Sequence, residues 1–177
     1  MIKHIRIVSP SGAIDPAYID AAVSRLRAWG YIVSEGAPAR DTWGRFAGTD
    51  DDRLADLANA LNDSSVDAIL CSRGGYGLQR IIDRLPVVTK PIIGFSDITA
   101  LHQLAVIGGQ DSVHGIMCKH IATLPEDSEP ILVLRKVLEG EPLEYCWASH
   151  PLNRSGDAEG RRRSPTTRRY AVPPRRY

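Results

Sequence analysis

Two kinds of apolar pattern take turns along the chain. Short continuous apolar runs, too brief for a helix, read as strands covered on both faces: Ile5 to Ser9, Tyr31 to Val33, Val66 to Ser72 and Pro91 to Phe95. Between them, apolar residues recur at three- and four-residue spacing, the period of one helix face. Ile19, Ala22, Val23, Leu26 and Trp29 mark the first such helix, with Asp15 placed to cap it, Pro16 in its first turn and Gly30 ending it. Leu54, Leu57, Ala58 and Leu61 mark a second, over Asp50 to Leu61. Further helices are predicted over Leu78 to Leu85, Asp97 to Val106 and Glu129 to Leu138, and extended segments at Ser112 to Met117 and Pro142 to Trp147.

Strands that alternate with helices pack as a mostly parallel sheet with helices on both faces, the α/β class. Such sheets bind ligands beyond the carboxyl ends of their strands. Three segments fall there: Ser9-Pro10-Ser11-Gly12 after the first strand, Arg73-Gly74-Gly75-Tyr76-Gly77 after the third, and the turn at Ser96 after the fourth. No internal repeat is present.

The 177 residues suffice for one sizeable α/β domain, and 43% hydrophobic with 24% charged residues is ordinary globular composition. The net charge of +1 conceals an asymmetry. Residues 161–177 hold seven arginines and no acid, which leaves fifteen basic against twenty-one acidic side chains in the first 160 residues. The body is therefore mildly acidic and offers no nucleic-acid surface. Cys71, Cys118 and Cys146 are odd in number and widely spaced, which argues against a disulfide framework or a structural zinc. Cys71 lies in an apolar run and reads as a buried strand residue. The first residues hold no apolar stretch of signal-peptide length, and no run of 18 apolar residues occurs, so a cytoplasmic protein without a membrane span is expected.

Gly94-Phe95-Ser96-Asp97-Ile98-Thr99 marks a serine where a strand turns sharply into a helix, the setting of a nucleophile elbow. The turn lifts Oγ clear of the sheet, and the helix amino end offers free N–H groups and a positive dipole to an oxyanion. The pattern is not G-x-S-x-G, because Ile98 stands in place of the second glycine. The same residues also fit a plain helix cap by Ser96 or Asp97. The glycines of the 73–77 loop fit either an anion-binding turn or a tight turn alone, and no lysine completes a P-loop. Among His4, His102, His114, His120 and His150, none stands out as a general base. His102, six residues past Ser96, is expected to point away from the elbow, at the helix surface or in the core; His114 could line the pocket.

Taken together, five stretches in order resemble the LD-carboxypeptidases (muramoyltetrapeptide carboxypeptidases) and their microcin-immunity relatives. They are Ser9-Pro10-Ser11-Gly12, Arg45-Phe46-Ala47-Gly48-Thr49-Asp50, the 73–77 glycine loop, Gly94 to Thr99, and His114-Gly115 with Met117. The resemblance runs from about Ile5 to Gly160. It implies a three-layer, Rossmann-like sandwich of the class I glutamine amidotransferase-like kind. It implies Ser96 as nucleophile, with the backbone N–H of Asp97 and of Gly74 or Gly75 as oxyanion hole, and Tyr76 and His114 beside the substrate. The substrate implied is a peptidoglycan stem peptide, cut before a terminal D-alanine during cell-wall recycling, with no metal or other cofactor. Ile116 stands where the family has proline, which bears on the pocket wall.

Family members are longer, and their second domain supplies the glutamate and histidine of a Ser-Glu-His triad. The resemblance thus divides this chain into a nucleophile domain over 1–145, the start of a linker over 146–160, and an Arg/Pro-rich tail over 161–177. That tail reads as disordered or as the product of a frameshift after Gly160; a natural basic tail for nucleic acid or membrane is the other reading. On this view the chain is poorly active. The competing functions are a non-catalytic muropeptide-binding remnant, a microcin-immunity-type hydrolase, and an unrelated flavodoxin-like or amidotransferase-like module. The last lacks the elbow cysteine that glutamine amidotransferases use. Full-length members commonly dimerise, which leaves a homodimer open.

Overall fold

A computed structural model describes residues 2–143. Its sheet has five strands, all parallel, in the order β2-β1-β3-β4-β5. The strands are β1 (His4–Val8), β2 (Ile32–Glu35), β3 (Ala68–Cys71), β4 (Ile92–Gly94) and β5 (Ser112–His114). The helices are α1 (Pro16–Ala28), α2 (Asp50–Asn62), α3 (Thr99–Ile107), α4 (Cys118–Thr123) and α5 (Glu129–Glu139). The fold is thus the expected α/β sandwich.

Alternation along each strand decides which helix it meets. Ile5, Ile7, Leu70 and Ile93 point to one face, where Ile19, Ala22, Val23 and Leu26 of α1 pack with α4 and α5. Val8, Ile69, Cys71 and Ile92 point to the other, against Leu57, Ala60 and Leu61 of α2 and Leu101 and Ala105 of α3. Both faces are covered, which is why the strands read as unbroken apolar runs. Burial raises the Cys71 thiol far above its usual pKa and pushes Cys118 up to about 12, so both are inert core residues.

Asp15 caps α1 as expected, its side chain accepting from the N–H of Ala17. Thr49 and Asp52 form a reciprocal capping box on α2, an arrangement that stabilises by about 1 kcal/mol. The α2 stripe differs from the expected one. Leu57 and Leu61 are buried, but Leu54 and Ala58 lie at its margin, and Arg53 and Asp56 are buried in their place. The predicted helix over Leu78 to Leu85 is two separate 3-10 turns, Leu78–Arg80 and Ile82–Arg84. Eight residues between a glycine loop and Pro86 leave few helical hydrogen bonds to offset a costly nucleus. The segment expected to be extended from Ser112 to Met117 is strand as far as His114 and loop after it, with Met117 extended at the start of α4. Residues 144–147 of the proposed extended segment, the 146–160 linker and the 161–177 tail lie outside the described residues.

The sheet order reverses at β1. The chain moves outward from β1 to β2, then returns to place β3 on the other side. Loops that diverge from such a switch point leave a crevice at the carboxyl ends of the strands. The segments after β1, β3 and β4 all open there.

Candidate active site

Ser96 is exposed and has φ +66°, the sole positive φ among the described non-glycine residues. An L-residue held in this left-handed region costs about 1–2 kcal/mol, and such strain gathers at functional turns. Gly94 makes the turn affordable: a β-carbon there would stand 3.0–3.2 Å from the side chain of Ile98. The expected helix start at Asp97 is instead a 3-10 turn, Ser96–Ile98, that runs into α3. Strand, strained serine and helix follow one another directly, as an elbow requires.

The glycine loop closes over this serine. A β-carbon on Gly74 would lie 3.0 Å from Ser96 Cβ and 3.3 Å from its Oγ. Gly75 and Gly77 have φ of +108° and +142°, which L side chains rarely adopt. The N–H groups of Gly74 and Gly75 donate to no acceptor among the described residues, so they remain available to an anion near Oγ. Tyr76 is exposed beside them, its ring 6.2 Å from Phe46, which stacks in turn on Trp43 at 6.4 Å.

The Asp97 carboxylate performs a task its place in the sequence does not reveal. One oxygen, Oδ2, accepts from Ser11 Oγ at 2.8 Å and from the N–H of Leu78 at 3.0 Å. It thereby joins the loop after β1, the end of the glycine loop and the elbow. Further bonds reinforce the junction: Gly12 N–H donates to Gly74 O at 3.2 Å, and Ala47 N–H to Ser11 O at 3.2 Å. Behind them, buried Arg53 donates to Pro10 O at 2.7 Å, pairs with Asp50, and lies 5.0 Å from the Phe46 ring centre. Burial lowers the Arg53 pKa, and Asp50 opposes the shift. Ser11, Asp97 and Arg53 are separated widely in sequence, and no local pattern links them.

His102 is a core residue, one of the two placements expected for it. Its Nε2 bonds to Gly94 O at 2.9 Å, and its Nδ1 pairs with Ser112 Oγ. A ring donating to Gly94 accepts from the Ser112 hydroxyl, so both nitrogens are engaged and neither serves Ser96. Burial lowers its pKa and keeps it neutral. His114 sits beside Gly94 across the β4–β5 pair, its ring 6.2 Å from Phe95; His120 lies 5.3 Å from the same ring. His114 also lines a groove between β5 and α5 with Ile116 and Leu134. Among the described residues no side chain hydrogen-bonds to Ser96 Oγ, and no group of three His, Cys, Asp or Glu is placed to hold a metal ion. No described helix is long and apolar enough to cross a membrane.

A profile of the LD-carboxypeptidase N-terminal domain matches residues 5–115. A Streptomyces coelicolor relative is 40% identical over 128 residues, 67% of this chain and 41% of its own length. The murein tetrapeptide carboxypeptidase of Pseudomonas aeruginosa is 29% identical over 128 residues, 69% of this chain and 42% of its own length. The crystal structure of muramoyltetrapeptide carboxypeptidase from Oxalobacter formigenes superposes with a TM-score of 0.67 at 24% identity, over 76% of this chain and 47% of that one. The chain therefore spans less than half the length of the relatives it matches.

Proposed function

The chain belongs to the LD-carboxypeptidase family, and we propose that it provides the nucleophile domain, residues 1–145, of a serine hydrolase acting on peptidoglycan stem peptides in the cytoplasm. Ser96 Oγ attacks the carbonyl that precedes a terminal D-alanine. The negative oxygen that forms is met by the N–H of Asp97 and of Gly74 or Gly75. D-alanine leaves, and water releases the peptide from the acyl-enzyme. The observation that carries this reading is Ser96 at φ +66° with Gly74 packed against it.

Attack needs a base to take the hydroxyl proton. His102, engaged with Gly94 and Ser112, is not placed to be that base, and a serine without a base turns over about a thousandfold or more below a complete triad. The test is D-alanine release from a disaccharide tetrapeptide, compared between the parent and Ser96→Ala. Slow release abolished by Ser96→Ala is expected. Release that survives the substitution would remove Ser96 as nucleophile; release at the rate of a full-length relative would mean that a group other than His102 serves Ser96 as base.

A further inference from the structure

A carboxypeptidase must distinguish a chain end from a chain interior, and the distinguishing group is the terminal carboxylate. Ten arginines lie in the described residues, and seven of them pair with an Asp or Glu carboxylate. The three that pair with none among the described residues are Arg27, Arg45 and Arg73. Arg27 lies near the end of α1, where the chain enters β2 at the amino ends of the parallel strands, while the elbow lies at their carboxyl ends. Arg45 and Arg73 stand on the two loops that flank the crevice.

The two differ in how they are held. The side chain of Arg45 makes no hydrogen bond among the described residues. Arg73 is exposed but fixed: its Nη1 donates to the carbonyl of Ala13 at 2.7 Å, across the mouth of the crevice. Its Nε lies 3.6 Å from the point where a β-carbon on Gly12 would stand. Gly74, the next residue, is the one packed against Ser96. A guanidinium anchored by one nitrogen keeps its remaining donors in a preset plane, the arrangement that suits a carboxylate.

We infer that Arg73 is the specificity-determining residue that receives the substrate's terminal carboxylate. The inference rests on Ser96 being the nucleophile. The carboxylate it would bind is one residue beyond the bond Ser96 attacks, about 3.8 Å of backbone, and Arg73 is one residue from the glycine that touches Ser96. A cation there selects a peptide that ends after one D-residue and disfavours one that continues or carries an amide.

The test is calorimetric titration of the full chain carrying Ser96→Ala. The probes are the stem tetrapeptide ending in D-alanine and the same peptide with its terminal carboxylate amidated. The acid is expected to bind at least about tenfold more tightly than the amide, the size of one charge-assisted contact. Adding Arg73→Gln should bring the acid to the level of the amide and leave the amide unchanged; Arg73→Lys should restore part of the preference. A preference for the acid that persists in Arg73→Gln overturns the assignment, as does equal binding of both probes. Equal binding accompanied by Ser96-dependent D-alanine release overturns the role of Arg73 alone. Binding of neither probe overturns the proposed substrate together with it.

Discussion

Gly74 and Ser96 share one small space: a β-carbon on the glycine would stand 3.0 Å from the serine Cβ and 3.3 Å from its Oγ. Gly74 does not need glycine for its backbone angle, since its φ is not positive. It needs glycine for room. Gly74→Ala should therefore fold, at a cost of about 1–3 kcal/mol for overpacking, while displacing the serine it presses on. Labelling of Ser96 by a fluorophosphonate should slow by about tenfold or more. Labelling at the parent rate would show that the loop can retreat and that the contact has no bearing on the reactivity of Ser96.

The strain at Ser96 makes a separate prediction about stability. Glycine adopts φ near +66° without penalty, so Ser96→Gly should stabilise the chain by about 1 kcal/mol while removing the proposed nucleophile. In a chain of this length that raises the melting temperature by roughly 2–4 °C. Ser96→Ala keeps the β-carbon and should gain nothing, which separates backbone strain from loss of the hydroxyl. A Ser96→Gly chain that melts no higher than Ser96→Ala would mean that the turn is not strained.

Much of this was legible in the sequence where the causes are local. Asp15 and Pro16 announce α1 because capping acts within one turn, and the apolar runs announce β1, β3 and β4 because both faces of the sheet are covered. The elbow was legible because a strand, a serine and a helix are adjacent. The partners that hold it were not. Asp97 bonds to Ser11, 86 residues away, and buried Arg53 bonds to Pro10, 43 residues away. Arg53 and Asp56 occupy the inner face of α2, where helical periodicity assigns apolar residues, because tertiary partners reach them.

Asp97 offers the next test. Removing its carboxylate leaves buried Ser11 and the buried N–H of Leu78 without their acceptor, which costs about 1–3 kcal/mol. Asp97→Ala should lose that much in urea unfolding and slow fluorophosphonate labelling of Ser96, since the elbow loses its tie to both neighbouring loops. Asp97→Asn retains a carbonyl oxygen that can accept both bonds, and should recover most of the stability and the labelling rate. Equal losses in the two variants would mean that the charge, and not the geometry of the junction, matters.

Asp56 is one residue by which the fold responds to pH. It is 5% exposed on α2, and burial raises its pKa to about 6, against the opposing pull of Arg6 at 3.5 Å. The unfolded chain titrates this group near 3.8, so between pH 3.8 and about 6 the folded chain holds the proton more tightly. Stability contributed by Asp56 therefore falls as pH rises through that window, and the cost is complete above it. Asp56→Asn removes the titration, and Arg6 keeps a second carboxylate, Asp63, at 3.8 Å. The variant should match the parent near pH 4 and exceed it at pH 7.5 by up to about 3 kcal/mol, the equivalent of the shift in pKa. Melting both chains at pH 4 and 7.5 isolates the effect, because every other group titrates alike in the two. A gap that stays constant with pH, or a parent that melts higher at pH 7.5, would mean that Arg6 compensates the buried carboxylate in full.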